Sequence, residues 1–332
     1  MTEKSQRLGV ALVGFGLYSE QRLAPALRET KHCYLASIVS GSIDKKNAWK
    51  KKYDLDDTNI YSYKDFDAIK NNDAIDIVYV VLPNSLHKEY VIRAAGAGKH
   101  VICEKPMAIS VEECDEMIEA CNKAGVRLSL GYRLHFDPYN LEMMRLAKEK
   151  KYGNIKRVFA SHGLYNTKGW RLDKDLAGGG PLMDVGIYCV NAARYILNKE
   201  PLVVQAFPGE KHDKKKFDSI EESISWNMEY DNGVIAKCNC SYSEASDYLR
   251  VEAEHGWFEL EPAFFYNSLK GKTSDGRMKI KPINQQAAQL DDFAMAIIEN
   301  RATTVSGEMG RQDIKILEAI YRSMKTGQRV EI

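Results

Sequence analysis

No apolar run in this sequence is long enough to span a bilayer, so a transmembrane helix is not expected. Neither sign of charge dominates: 47 Lys and Arg oppose 46 Asp and Glu, for a net charge of +1. A near-neutral balance gives no electrostatic reason to expect nucleic acid or a membrane surface as partner. The polar first residues lead directly into a predicted strand and leave no room for a signal peptide. We therefore expect a cytoplasmic protein, or a periplasmic one whose leader has been removed.

Cysteines are few, and their spacing suggests neither disulfides nor a metal site. The seven cysteines form no Cys-x-x-Cys pair, and their odd number favours reduced thiols. Cys238 and Cys240 share one face of a predicted strand with Ala236, so core packing is the favoured interpretation and no metal is expected. The 332 residues, 44% of them apolar, suit two domains with substantial cores.

The first part of the chain alternates strands and helices. Strands are predicted at residues 8–13, 35–39, 75–82, 100–103 and 127–130. The run at 75–82 is β-branched and apolar at both parities, as expected of a strand buried on both faces. Helices separate these strands, and Ser110 begins one of them with a capping box. The pattern predicts an α/β Rossmann domain, a doubly wound parallel sheet, over residues 1–130.

From residue 131 onward the predicted strands are longer and many alternate with a period of two. They lie at residues 158–165, 202–207, 224–230 and 234–242. Asp231-Asn232-Gly233 predicts a hairpin turn between the last two, because Asn and Gly tolerate positive φ. Helices at 286–300 and 310–325 close the chain, with Gly327 as a stop. We expect an α+β domain over 131–332 with a large, mostly antiparallel open sheet, which pairs subunits into a homodimer or homotetramer.

A glycine-rich turn, Gly14-Phe15-Gly16-Leu17-Tyr18-Ser19, follows the first strand and opens the first helix. At this position the pyrophosphate of a dinucleotide rests against backbone N–H groups and the helix dipole. Ser19 stands where the G-x-G-x-x-G pattern has its third glycine, which weakens the match. The placement after the first strand of a βαβ unit nevertheless favours a dinucleotide site over a simple tight turn.

The end of the second strand discriminates between NAD and NADP. NAD-binding sheets usually place an acidic residue there, which accepts hydrogen bonds from the ribose hydroxyl. Here the strand ends in Ser40-Gly41-Ser42, with Lys45 just beyond. Hydroxyls and a lysine suit a 2′-phosphate, which a carboxylate would repel. The pattern favours NADP as the cofactor, and Asp44 leaves NAD as the alternative.

Two loops after later strands carry further candidates. Leu82-Pro83-Asn84-Ser85-Leu86-His87 follows the central strand, where a polar loop would lie over the nicotinamide side of a bound cofactor. His87 is either a cofactor contact or a packing residue at a helix start. Glu104-Lys105-Pro106 follows the strand at 100–103, at the mouth where parallel sheets bind ligands. Pro106 admits a cis peptide bond, which could aim Lys105 inward.

The second domain offers a catalytic tyrosine. Gly178-Gly179-Gly180 would let the backbone approach a ligand closely, and it leads to Asp184 and Tyr188. A spacing of four places these two residues on one face of a helix. A tyrosine exchanges a proton with an alcohol when a neighbouring cation lowers its pKa, and Lys105 could be that cation. Asp184 could orient the substrate hydroxyl or the lysine. The alternative is a core-facing Tyr188 and a capping Asp184.

Taken together, these motifs resemble the Gfo/Idh/MocA oxidoreductase family. The motifs are Gly14-x-Gly16, Glu104-Lys105-Pro106, Gly131-Tyr132-Arg133 and Asp184-x-Gly186-x-Tyr188. The similarity covers nearly the whole chain and is strongest to the glucose–fructose oxidoreductase branch, because Tyr188 stands where many members have histidine. The resemblance implies Lys105 and Tyr188 as the catalytic pair, with Asp184 beside them, and adds Trp170 and Arg171 to the dinucleotide contacts. All candidate contacts are Gly14, Gly16, Leu17, Tyr18, Ser40, Gly41, Ser42, Lys45, Leu82, Pro83, Asn84, His87, Glu104, Lys105, Arg133, Trp170 and Arg171.

The implied reaction is reversible oxidation of an aldose such as glucose at C1 with NADP. Tyr188 would remove the proton of the C1 hydroxyl, and Lys105 would hold the pKa of the phenol down. NADPH then either stays bound and reduces a second sugar such as fructose, or leaves. The second case describes a dehydrogenase or reductase acting on xylose, a dihydrodiol or a related sugar. A non-catalytic NADP-sensing protein is a further alternative, against which the intact Lys105, Asp184 and Tyr188 set argues.

Overall fold

The structure is a computed structural model that describes residues 7–266 and 268–332. The chain separates into two compact units. One contains the residues up to Arg133 together with Asn284–Arg311, and the other contains Leu134–Ile283 together with Gln312–Ile332. The predicted domains, 1–130 and 131–332, differ from these units at residues 131–133 and in the segment Asn284–Arg311, and the division into domains stays a prediction.

The first unit is built on a six-stranded sheet in the order β3-β2-β1-β4-β5-β6. Its strands are β1 Leu8–Val13, β2 Cys33–Val39, β3 Ile60–Tyr61, β4 Ile77–Val80, β5 His100–Cys103 and β6 Leu128–Leu130. Every neighbouring pair is parallel. The strand order reverses between β1 and β4, and ligands bind beyond the carboxyl ends of the strands at such a point. The predicted Rossmann fold is confirmed.

Helices follow the strands of this sheet. A π-helical turn at Ser19–Leu23 leads into the first of them, and the helices are α1 Ala24–Ala26, α2 Ile43–Tyr53, α3 His87–Gly96 and α4 Val111–Ala124. The hydroxyls of Ser42 and Ser110 cap α2 and α4, each by accepting the backbone N–H three residues further on. Ser110 was predicted in this role. All residues of β1 and β4 are buried, as their continuous apolar runs predict.

The second unit is built on a nine-stranded sheet in the order β14-β13-β12-β11-β7-β10-β9-β8-β15. Its strands are β7 Ile155–Gly163, β8 Val203–Pro208, β9 Ser223–Glu229, β10 Ile235–Ser241, β11 Ser246–Ala253, β12 Gly256–Leu260, β13 Gly271–Thr273, β14 Gly276–Arg277 and β15 Val330–Glu331. Strands β7 and β10 are parallel, and the other pairs within the described residues are antiparallel. The predicted, mostly antiparallel sheet is confirmed, but the sequence patterns did not indicate β11 to β15.

Alternation along β9 and β10 separates a buried face from an accessible one. The buried positions are Ile224, Trp226, Met228, Ala236, Cys238 and Cys240. Gly233, with a φ of +77°, lies in the turn between these antiparallel strands, as predicted. The core assignment of Cys238 and Cys240 is confirmed, and all seven cysteines are buried as free thiols.

The remaining helices complete the two units. They are α5 Pro138–Lys148, α6 Lys174–Ala177, α7 Ile187–Leu197, α8 Gln285–Ile298 and α9 Gly307–Thr326. Helix α8 joins the core of the first unit through Leu290 and Phe293. Gly327, with a φ of +69°, follows α9 at the predicted stop. In the part of the chain that the structure describes, no helix is long and apolar enough to cross a membrane.

Candidate active site

The glycine-rich loop lies between β1 and the turn Ser19–Leu23. Gly14 has a φ of +102°, and a Cβ there would lie 2.2 Å from the backbone oxygen of Val81, so the position requires glycine. Around Gly16, in contrast, a Cβ would meet no atom within 4 Å. The loop is therefore tightly packed at its first glycine and open at its second. Such an opening leaves room for a pyrophosphate against the backbone.

Ser19 is buried at the end of this loop. Its Oγ donates a hydrogen bond to the carbonyl oxygen of Gly14, 2.8 Å away. The side chain therefore closes the loop at the position where the usual pattern has a third glycine. Ser19 departs from the G-x-G-x-x-G pattern, but its side chain is a structural part of the loop.

The residues after β2 are joined to this loop through Lys45. The Oγ of Ser40 accepts the backbone N–H of Ser42 at 3.2 Å, and the Oγ of Ser42 accepts that of Lys45 at 3.3 Å. The Nζ of Lys45 donates to the carbonyl oxygen of Phe15 at 2.9 Å. The structure thus brings Lys45, one of the residues predicted to select NADP, to the glycine-rich loop. An open loop, two hydroxyls and an ammonium fit a dinucleotide that carries a 2′-phosphate.

Aromatic packing holds α2 against this loop. The ring centroids of Phe15 and Trp49 are 4.2 Å apart, and Trp49 in turn lies 4.9 Å from Tyr53. Trp49 is buried although most of its helix is exposed. Sequence reasoning missed Trp49. Its only signal was a large aromatic residue inside a polar, lysine-rich helix.

His87 connects the loop after β4 to the segment after β5. Its Nδ1 lies 2.9 Å from the carbonyl oxygen of Pro106, and its Nε2 lies 2.9 Å from that of Leu82. The ring is buried, and this burial lowers the pKa of His87. The imidazole therefore braces the two loops, while a cofactor contact of His87 stays a prediction. The Lys105–Pro106 peptide bond is cis, the form that the sequence admitted.

Glu104 fixes the backbone that carries Lys105. Its Oε1 accepts a hydrogen bond from the Oη of Tyr79 at 2.7 Å, and its Oε2 accepts the backbone N–H of Lys105 at 3.3 Å. Burial raises the pKa of Glu104. A Cβ on Gly131 would lie 2.5 Å from Oε1 of this carboxyl group, so the glycine of Gly131-Tyr132-Arg133 makes room for Glu104.

In the second unit, Asp184 lies in a π-helical turn, Leu182–Gly186, directly before α7. Its Oδ2 accepts hydrogen bonds from the Nε of Arg171 at 2.9 Å and from the Oη of Tyr242 at 3.1 Å. The charge of Asp184 raises the pKa of Arg171, whose guanidinium lies 4.8 Å from the ring centre of Trp170. A predicted catalytic residue and a predicted dinucleotide contact therefore form one ion pair. The predicted spacing assumed a regular α-helix, which this turn is not.

Tyr188 lies at the start of α7 among aromatic side chains. Its ring centroid is 5.6 Å from that of His162 and 6.0 Å from that of Phe264, and Tyr188 is only 8% exposed. The carboxylate of Asp247 accepts the backbone N–H of Phe264 at 2.7 Å and so holds this residue in place. Sequence reasoning missed His162, Phe264 and Asp247. His162 lies opposite Asp247 because β7 pairs with β11, and no local sequence pattern reveals that pairing.

The remaining predicted contacts differ in accessibility. Leu17 and Gly41 are exposed, Tyr18, Leu82, Pro83 and Lys105 are half-buried, and Asn84 and Arg133 are buried. The Nη1 of Arg133 donates to the side chain of Gln285. As ligand contacts these residues stay predictions. Among residues 7–266 and 268–332, no group of three or more His, Cys, Asp or Glu side chains is arranged to hold a metal ion.

The parallel sheet and its open glycine-rich loop define a dinucleotide-binding protein. The sequence of residues 8–132 matches the family model of an oxidoreductase family with an NAD-binding Rossmann fold. Residues 140–259 match the family model of the Gfo/Idh/MocA C-terminal domain. The chain belongs to the Gfo/Idh/MocA oxidoreductase family, as its motifs predicted.

Several proteins of known name are similar to this chain over most of its length. It is 27% identical over 340 residues to D-xylose 1-dehydrogenase (NADP(+)) of Haloarcula marismortui. This alignment covers 97% of this chain and 92% of the relative. It is 31% identical over 282 residues to D-xylose 1-dehydrogenase (NADP(+)) 2 of Haloferax volcanii. This alignment covers 82% of this chain and 85% of the relative. The crystal structure of aldose–aldose oxidoreductase from Caulobacter crescentus, complexed with glycerol, matches with a TM-score of 0.96 at 39% sequence identity. The match covers 98% of this chain and 100% of that structure's chain.

Proposed function

We propose that the protein is an NADP-dependent sugar oxidoreductase that acts at C1 of an aldose. Two of its relatives are named as NADP(+)-using D-xylose 1-dehydrogenases, and the similar crystal structure is named as an aldose–aldose oxidoreductase. These names support an aldose as the substrate. Because one fold hosts many activities, the proposal also rests on the residues of the site.

The observation that carries the choice of NADP is the position of the Lys45 ammonium, 2.9 Å from the carbonyl oxygen of Phe15 in the glycine-rich loop. The hydroxyls of Ser40 and Ser42 lie between β2 and α2, where that of Ser42 accepts the backbone N–H of Lys45. A 2′-phosphate held there would meet a cation, hydroxyls and the positive end of a helix dipole, each of which favours an anion.

When bound, the nicotinamide accepts or returns a hydride, and the side chains of the protein move the proton and orient the sugar. In this proposal Tyr188 takes the proton of the C1 hydroxyl as the general base, and Lys105 is the second residue of the catalytic pair. Asp184 orients the substrate hydroxyl or Lys105, while Trp170 and Arg171 contact the dinucleotide.

Replacement of the proposed base tests this assignment. Tyr188→Phe removes the hydroxyl and keeps the ring that lies beside His162 and Phe264. Loss of a general base lowers kcat about a hundred- to ten-thousandfold, while the Kd for NADP stays unchanged. Tyr195→Phe is the matched control, because Tyr195 lies on the same helix and donates to Asn140 at 2.6 Å. Near-normal turnover of Tyr188→Phe would contradict the assignment.

A second candidate within this activity is transfer between two sugars, with NADP retained through the cycle. The similarity to an aldose–aldose oxidoreductase favours it, whereas the two xylose dehydrogenases favour a cofactor that exchanges. The near-ultraviolet spectrum of freshly purified protein, with glucose but no added cofactor, separates the two. Absorption of reduced nicotinamide that appears and then vanishes on adding fructose or a second aldose supports retention. Absorption that requires added NADP supports exchange, and binding without any turnover supports an NADP-sensing protein.

The accessible face of the nine-stranded sheet is the proposed contact between subunits in a homodimer or homotetramer. Phe207 and Lys237 lie at accessible positions that alternate with the buried residues of β8 and β10. Sedimentation of the purified protein measures its assembly state, and a monomer at all concentrations would contradict the proposal.

A further inference from the structure

Gly178-Gly179-Gly180 packs against side chains of its own unit. A Cβ on Gly179 would lie 2.0 Å from the Oη of Tyr321, and a Cβ on Gly180 would lie 2.6 Å from the backbone oxygen of Glu221. The sequence suggested that these glycines make room for a ligand. The structure gives a different reason for two of them, because their missing side chains make room for Tyr321 and Glu221.

Glu221 is a buried carboxyl group at the beginning of the helical segment that carries Asp184. Its Oε2 accepts the backbone N–H of Gly180 at 3.0 Å, and its Oε1 accepts that of Leu182 at 3.1 Å. Burial raises the pKa of Glu221. The first N–H groups of a helix have no partner within the helix and carry partial positive charge. The carboxyl group therefore holds the start of this segment in place.

Tyr321 fixes the same carboxyl group from a different part of the chain. Its hydroxyl donates to the Oε1 of Glu221 at 2.9 Å, from near the end of α9. Glu221 itself lies just before β9. The start of the segment Leu182–Gly186 is thus tied to two elements that are distant in sequence. Neither Glu221 nor Tyr321 has a role in the proposed chemistry.

We infer that Glu221 and Tyr321 are positioning residues, which set the place of Asp184 and Tyr188 by holding the start of the segment that carries both. This inference rests on the proposed function, in which those two residues act on the sugar. A displacement of about 1 Å of a reacting group lowers a rate about a hundredfold. A small shift of the helix start is therefore sufficient to reduce turnover without unfolding the protein.

Two variants test the inference on the whole enzyme. Tyr321→Phe removes one hydrogen bond to Glu221 and keeps the ring, and we expect kcat to fall about tenfold. Glu221→Gln replaces an accepting oxygen by an NH₂ group that repels a backbone N–H, and we expect kcat to fall about a hundredfold. In both variants the Kd for NADP stays at the wild-type value, and the KM for the aldose changes less than kcat. The double variant should lose about as much as Glu221→Gln alone, because the two residues act as one unit.

Tyr152→Phe is the matched control. Tyr152 also donates to a carboxylate at 2.9 Å, that of Asp275, elsewhere in the same unit. It should lower the unfolding temperature less than Tyr321→Phe does, because the Asp275 carboxylate is exposed, and it should leave kcat unchanged. Wild-type kcat in folded Tyr321→Phe would overturn the inference, and this variant decides the matter if Glu221→Gln does not fold.

Amide hydrogen exchange adds a readout that does not depend on turnover. The Gly180 and Leu182 amides should exchange faster in both variants, because Glu221 no longer holds them as firmly. Unchanged exchange in Glu221→Gln would overturn the inference. A wild-type protein that oxidises no aldose would instead overturn the proposed function, so the two failures are distinguishable.

Discussion

The Nζ of Lys45 donates to the carbonyl oxygen of Phe15 at 2.9 Å and so joins the first turn of α2 to the glycine-rich loop. Lys45 is exposed, and an ammonium has three donors, so capacity remains for an anion bound beside the loop. In the proposed function, this contact links the residue that selects NADP to the loop that receives the pyrophosphate. Two predictions test the proposed selection of NADP and the proposed binding of the pyrophosphate separately.

Lys45→Ala should weaken NADP binding far more than NAD binding. A charge-assisted hydrogen bond is worth about 1.5–3 kcal/mol, so we expect the Kd for NADP to rise about ten- to a hundredfold. Titration of the purified protein with each dinucleotide measures the effect. Lys50→Ala is the control, because Lys50 lies on the same helix but pairs with Asp57. Equal losses of affinity for NAD and NADP would show that Lys45 does not select the 2′-phosphate.

Ser19→Ala should weaken NAD and NADP binding equally. The variant loses the hydrogen bond to Gly14, so the loop that holds the pyrophosphate of both dinucleotides is less well fixed. We expect the free energy of unfolding to fall by about 1 kcal/mol in urea titrations. Ser37→Ala removes a comparable bond to the carbonyl oxygen of Asn59, at 2.7 Å, and should lower stability without changing either Kd. Unaltered dinucleotide affinity in Ser19→Ala would count against this role of Ser19.

Local sequence patterns predicted some elements well for a physical reason. The bounds of β1 and β5 agree with the predicted ones, because each is a short apolar run that ends abruptly at charged or glycine residues. Strands β11 and β12 were missed. Only Leu249 and Val251 are fully buried in β11, and the turn at Glu254-His255 lacks the Asn-Gly pattern that marked the preceding hairpin.

The same distinction applies to the site. The glycine-rich loop and the end of β2 were readable because neighbouring residues of the chain form each of them. The partners of Asp184 were not readable, since Tyr242 reaches it from the bend just after β10, 58 residues further along the chain. Glu221 and Tyr321 meet from positions far apart in the chain, and no local spacing encodes that contact.

His135 should make stability depend on pH. Its Nε2 lies 2.9 Å from the Oδ1 of Asn191, and burial lowers the pKa of His135 from 6.5 to about 4. Between these values the unfolded chain binds a proton that the folded protein does not, so stability is lost as the pH falls from about 6.5 to about 4. Urea unfolding at a series of pH values should show a shallower loss in His135→Gln. Parallel curves for the variant and the wild type would contradict this prediction.

The most direct test of the proposed activity is the near-ultraviolet absorbance of reduced nicotinamide after the purified protein is mixed with NADP and an aldose such as glucose. We predict a steady rise with NADP, a slower rise with NAD at the same concentration, and almost none when Tyr188→Phe replaces the wild-type protein. If no aldose produces a rise in a protein that titration shows to bind NADP, the protein is not a sugar oxidoreductase of this kind.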